Sequence, residues 1–217
     1  MSFKNKFNSK KIINLFPENC FNQWMKNGLE FTFKKGELIS TPEKLSKYVF
    51  IIKEGNACEY HLHIDGKECV IGLLSNGDVI GLTNVFIQNE SRIFSKALTD
   101  VTVVAVFKQE IRVLIEQTPS ISMSLLSHFS EKHENMVEIL EQIGYGRVEE
   151  RLIFLFKKLI DFNREDNGWY PIPVSITHKD IAGMIASTRE TVTLTINKLL
   201  QDGVIKHHEN NLWIRLK

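Results

Sequence analysis

The side chains with the most specific chemistry in this chain lie between Thr177 and Asn197. Thr177 stands three residues before Asp180, and Ser187 three before Glu190. At that spacing a hydroxyl can take an orphan amide at a helix start while the carboxylate reaches back to the capping residue. Two helices are therefore predicted, one starting near His178 and one near Thr188, joined by a turn of about three residues. Ile181, Ile185, Val192, Ile196, Leu199 and Leu200 are spaced to pack one helix on the other. With that face subtracted, the second helix offers Thr188, Arg189, Glu190, Thr193 and Asn197 to solvent. A guanidinium fork can donate two hydrogen bonds to a guanine edge, and a carboxylate can accept from the cytosine amino group. The chemistry offered is hydrogen-bond recognition, not bond making.

The rest of the chain must position that helix. After Gly203, the stretches Val204–Lys206 and Leu212–Leu216 read as two strands around a polar turn. Upstream, Arg147–Phe162 reads as a helix, Asn163–Gly168 as a polar loop and Trp169–Ile176 as extended chain. Gly144-Tyr145-Gly146 breaks the helical pattern and marks a hinge, since each Gly costs about 1 kcal/mol in a helix relative to Ala. From Gln109 to Gly144 the apolar residues fall at helical spacing. Leu125, Phe129, Met136, Leu140 and Ile143 make a near-heptad stripe, so pairing of this helix with a second copy is expected. Residues 29–107 read as short strands broken by turn pairs such as Glu54-Gly55, Asp65-Gly66 and Asn76-Gly77, the pattern of a roll or sandwich. A two-residue hairpin turn is predicted at Asp65-Gly66. Residues 9–28 read as short helices.

Composition narrows the class. The chain has 217 residues, enough for two modest domains, with 43% hydrophobic and 24% charged residues. No run approaches the roughly 18 apolar residues of a membrane span, so no membrane partner is expected. Met1–Asn14 lacks the pattern of a secretory signal, and Cys20, Cys58 and Cys69 form no paired framework, so a reducing cytoplasm is expected. Net charge is only +1, and Thr177–Lys217 holds six Lys/Arg against four Asp/Glu. Bulk charge alone does not point to nucleic acid; the motif must.

The order of these elements, ending in Thr188-Arg189-Glu190-Thr191-Val192, resembles the Crp/Fnr family of bacterial transcription regulators. The resemblance implies an α+β fold: an N-terminal double-stranded β-helix (β-roll), a long dimerisation helix and a C-terminal winged helix-turn-helix. The divisions expected are 1–108, 109–144 and 145–217. It also implies a homodimeric, sequence-specific regulator of transcription, an activator, that reads a near-palindromic site on double-stranded DNA and has RNA polymerase as a partner. Arg189 and Glu190 become the base-reading pair, Thr177 and His178 lie at the phosphate backbone, and Thr188, Ser187, Thr193 and Asn197 complete the interface. Two positions depart from the family pattern. Leu194 stands where a further Arg is common, and Ala186 where the turn commonly has Gly, at a strain of about 1–2 kcal/mol if left-handed.

The β-roll of this family binds cyclic nucleotides through a Glu after Gly and an Arg-Ser pair. Here Leu82 follows Gly81, the Arg-Ser region reads Asn89-Glu-Ser-Arg92, and the helix positions facing adenine are Lys132 and His133. A Leu cannot accept from a ribose hydroxyl, so cyclic AMP is disfavoured. Gly81, Leu82, Arg92, Lys132 and His133 remain the candidate effector positions for an unknown ligand. No cofactor is expected. Gly55-x5-His61-x-His63-x4-Glu68 matches a first cupin metal motif, which makes a cupin-like metalloenzyme the alternative. Against it, Cys58, Tyr60, Leu62 and Ile64 read as the inward face of their strand, which turns both histidines outward and sets His63 opposite Glu68. On that reading Cys58 and Cys69 are buried core residues, no metal is held and the chain is not an enzyme.

Overall fold

The computed structural model describes residues 12–41, 43, 47–87, 92–160, 162–172, 176–208 and 211–216. The predicted Asn89–Ser91 stretch, part of Trp169–Ile176 and the tip of the C-terminal hairpin lie outside these residues. By their contacts they divide into two units, Ser9–Lys132 and His133–Lys217.

The first unit opens with a 3-10 turn at Ile12–Leu15 and helix α1 (Glu18–Asn27). Eight strands follow: β1 (Leu29–Phe33), β2 (Leu38–Ser40), β3 (Tyr48–Glu54), β4 (Ala57–Leu62), β5 (Glu68–Leu74), β6 (Val79–Ile80), β7 (Ile93–Ala97) and β8 (Val101–Phe107). They form two antiparallel four-stranded sheets, ordered β1-β8-β3-β6 and β2-β7-β4-β5. Strand β3 of the first sheet is buried on both faces, which explains the unbroken apolar run Tyr48–Ile52. Val49 and Ile51 pack with Trp24, Ile111, Ile115 and Leu125 of the covering helices. Phe50 and Ile52 turn the other way, onto Ile39, Ala57, Leu74 and Ala97 inside the roll. Alternate residues of one strand thus serve two cores.

The β4–β5 register corrects part of the sequence reading. His61 stands opposite Cys69 and Leu62 opposite Glu68. The His63 amide donates to the Lys67 carbonyl at 2.8 Å, so His63 faces Lys67 and not Glu68. The loop therefore holds three residues, Ile64, Asp65 and Gly66, with Gly66 left-handed at φ +75°. One extra loop residue shifts the pairing by one. The inward face of β4 is that of Ala57, aligned with Ala97 and Leu74. Leu62 and Ile64 are exposed, as is Cys69, while Cys58 is buried.

The long helical stretch is two helices, α2 (Lys108–Gln117) and α3 (Pro119–Tyr145). Pro119 explains the break. Proline has no amide to donate and keeps the residue before it out of the α region, and Thr118 sits at φ −130°, ψ 88°. Proline is nevertheless well suited to the first helical position it occupies in α3. Ile121, Leu125 and His128 are buried. Further along, Met136 is 52% and Leu140 64% exposed, so the predicted seam lies open.

The second unit continues from that helix. Helix α4 (Val148–Leu159) is followed by β9 (Trp169–Pro171), α5 (His178–Met184), α6 (Arg189–Gln201) and the hairpin β10 (Ile205–His208) and β11 (Asn211–Arg215). The three strands form one sheet, ordered β10-β11-β9. Leu152, Phe156, Ile181, Val192, Ile196, Leu199 and Ile214 are buried in this unit.

His128 is buried with its Nε2 lacking a hydrogen-bond partner among the described residues. Burial, then the neighbouring charge of Lys132, lowers its pKa from 6.5 to about 4. A depressed histidine stabilises the fold above its unfolded pKa, and that stability is lost as pH falls through the folded value. Urea unfolding between pH 7 and pH 4 should show a steeper loss of stability for the wild type than for His128→Phe.

Candidate nucleic-acid interface

Local chemistry builds the interface from its caps. Thr177 caps α5: its hydroxyl accepts from the Asp180 amide, and the Asp180 carboxylate accepts from the Thr177 amide at 3.1 Å. The first predicted capping box is therefore present. The second differs. Thr188, not Ser187, caps α6, accepting from the Thr191 amide at 3.2 Å. Ser187 instead closes α5, donating its amide to the Ala182 carbonyl at 2.9 Å. That bond, with Ala186 left-handed at φ +51°, makes the C-terminal motif that usually holds Gly at the left-handed position. The strain anticipated for Ala186 is present.

Arg151 of α4 holds this turn from below. Its Nη1 donates to the carbonyls of Ile185 at 3.2 Å and Ala186 at 3.4 Å, while its Nε donates to Gly146 at 2.9 Å. One guanidinium thus joins the chain break after α3 to the turn before α6. No sequence signal marked Arg151, because its partners lie up to 35 positions away. At the break, a Cβ on Gly146 would stand 2.7 Å from the Gln142 carbonyl, whereas one on Gly144 would meet nothing within 4 Å. Only the second glycine is sterically required there. Across the break, Lys158 of α4 donates to Glu138 at 2.6 Å and Asn135 at 3.3 Å on α3. Lys198 of α6 pairs with Glu149 of α4.

Thr188, Arg189, Glu190 and Asn197 are exposed. Neither the Arg189 nor the Glu190 side chain has a hydrogen-bond or ion-pair partner among the described residues, so both donor fork and acceptor are available. Thr193 and His178 are partly buried and bonded to each other, Nδ1 to Oγ1 at 2.8 Å. Thr193 gives its own proton to the Arg189 carbonyl at 2.9 Å, so the His178 Nδ1 is the donor. This pair fixes α5 against α6, a role the sequence reading did not foresee. Leu194 is 71% exposed, about one helical turn beyond Glu190. In the wing, Lys206 lies 4.4 Å from the centroid of the Trp169 ring.

The effector candidates in the roll are less coherent. Gly81 is left-handed at φ +79°, Leu82 is buried, and Arg92 and His133 are exposed. Lys132 acts on a residue the sequence reading missed, Glu59 of β4. Among the described residues no group of three or more His, Cys, Asp or Glu side chains is placed to hold a metal ion. His61 pairs across the ladder with Cys69, and His63 lies 3.2 Å from Asp65. No helix of the described residues is long and apolar enough to cross a membrane.

Comparison with known proteins agrees with this geometry. Residues 30–118 match the model of the cyclic nucleotide-binding domain, and residues 146–217 that of the Crp-like helix-turn-helix domain. The cyclic AMP receptor protein of Thermus thermophilus is 21% identical over 80% of this chain and 78% of its own length. The global nitrogen regulator of a Nostoc species is 24% identical over 84% and 83%. Among solved structures, the c-di-GMP responsive regulator CLP of Xanthomonas campestris superposes with a TM-score of 0.76 at 12% identity, covering 93% of this chain and all of that one. FixK2 of Bradyrhizobium japonicum gives 0.72 at 19%, covering 88% and 93%.

Replacing Arg151 with Met should cost about 2 kcal/mol or more, by stripping charged donors from three carbonyls. Ala186→Gly should gain about 0.5–1 kcal/mol, the relieved strain less the added chain entropy. Urea unfolding of both variants checks the pair of opposite signs. The capped helix pair, its exposed reading residues, the wing and the two domain matches together make this chain a member of the Crp/Fnr family of DNA-binding transcription regulators.

Proposed function

We propose that the chain acts as a homodimer in the cytoplasm and reads a near-palindromic DNA site with the first turns of α6. The carrying observation is the unpaired Arg189 and Glu190, exposed at the N-terminal end of a capped helix. In that role Arg189 and Glu190 read base edges. Thr188 and Asn197 flank them, and Thr177 approaches the phosphates. His178 and Thr193 hold the two helices in register and present their outer edges to the backbone. Ser187 contributes from the turn. The exposed Met136, Val137 and Leu140 on α3 support pairing through a seam, which would set two α6 helices into successive major grooves about 34 Å apart.

On this reading residues 1–108 are the sensor, 109–144 the dimerisation helix and 145–217 the DNA-binding domain, with Gly146 as the joint. The effector is a ligand other than cyclic AMP. Supporting this, apolar Leu82 is buried where an acceptor for a ribose hydroxyl would be needed. Gly81, Arg92, Lys132 and His133 complete the proposed effector region, and RNA polymerase is the proposed protein partner for activation.

Selection of the operator from random DNA, followed by footprinting, tests the reading. Arg189→Ala should lower affinity for the selected site about 5- to 150-fold, the worth of one bidentate base contact, while affinity for random DNA changes far less. Full site preference in that variant excludes Arg189 as a reader. Leu140→Asp should convert a dimer to a monomer in sedimentation; a wild type already monomeric at micromolar concentration excludes the proposed assembly.

A further inference from the structure

The roll contains a row of polar side chains that DNA recognition leaves unused. Strands β2, β7, β4 and β5 set Ser40, Ser95, Glu59 and Gly72 side by side in register. Glu59 and Ser95 are two residues along from Ala57 and Ala97, and so point to the same inner face. Ser40 and Ser95 are fully buried, and the Oγ of each lacks a hydrogen-bond partner among the described residues. Glu59 Oε2 lies 3.8 Å from where a Cβ on Gly72 would stand, so the missing side chain leaves room for the carboxylate. Facing it are the backbone amide of Gly81, which hydrogen-bonds the carboxylate, the ammonium of Lys132 on α3 and, with the same sign, Asp78. Burial pushes the Glu59 carboxyl above the usual carboxylate range, while Lys132 and the Gly81 amide pull it back.

We propose that Glu59 is the resident anion of the roll: its carboxylate holds the Gly81 amide and balances Lys132, so the site rejects anionic ligands, cyclic nucleotides among them. The site instead takes a small uncharged ligand that brings hydrogen-bond donors and acceptors to Ser40, Ser95 and Glu59. This rests on the reading of the roll as an effector domain. The reasoning is electrostatic. An incoming phosphate would find its amide donor occupied and a carboxylate within a few ångströms. At that separation in a partly buried site, like charges cost on the order of 100-fold in affinity or more.

The test uses the full chain, with cyclic AMP and inorganic phosphate as probes, titrated calorimetrically at pH 8. Wild type should show no binding below millimolar concentration. Glu59→Ser and Glu59→Gln, each checked for folding by circular dichroism, should gain at least about 30-fold for one probe or both, since the repulsion is removed. Adding Lys132→Met should abolish that gain. Micromolar binding of cyclic AMP by wild type overturns the proposal, and so does a failure of every folded variant to gain affinity for either probe. Operator binding measured on the same preparations reports separately on the regulator reading. Loss of DNA binding with the titration result intact would remove that reading and leave the resident anion standing.

Discussion

The turn between α5 and α6 is the constraint on which the DNA-reading surface depends. A left-handed residue there reverses the chain within two positions, which lets α6 start where its first turn is open to solvent. Alanine accepts this conformation only at a cost. The cost is carried by three contacts that flank the turn: the Ser187 amide closing α5, the Thr188 hydroxyl opening α6 and the Arg151 fork beneath. Without such support the strained turn would be free to relax, and the exposed guanidinium and carboxylate would lose their common frame. Preorganisation of this kind spares a binder the ordering cost it would otherwise meet on association.

Much of this was legible in the sequence because it is local. The strand positions, the Thr177 box, the helix starting near Thr188 and the wing all rest on residues within a few places of each other. The family resemblance followed from their order. What was misread shows where locality ends. The hairpin at Asp65-Gly66 has one more loop residue than the dipeptide suggests, and that single residue moved His63 from Glu68 to Lys67. The inner face of β4 was assigned from its larger apolar residues. Sheet neighbours decide that face, however, and they select Ala57 and Glu59. Arg151 could not be found at all, because what makes it important is the distant chain beneath which it sits.

The helices also show how one residue can outweigh a pattern. Apolar spacing runs smoothly from Gln109 to Gly144, yet Pro119 divides it into α2 and α3. Each is buried on its own terms. Ile111 and Ile115 face the roll with Ile121 and Leu125, while the far end of α3 keeps an apolar surface open. A periodic stripe says that a face will be covered, not by what.

The Lys158 contacts give the chain break a definite character. The ammonium leaves α4, crosses the gap and meets both Glu138 and Asn135, and its side chain is only 11% exposed. Gly146 alone would make a loose swivel. With this tether in place, the joint behaves as a ratchet with one favoured stop. Small rocking leaves the ammonium paired, but a large swing must first strand a poorly hydrated cation, a penalty that falls all at once. A joint of that kind keeps one setting firmly until the buried ion pair is broken.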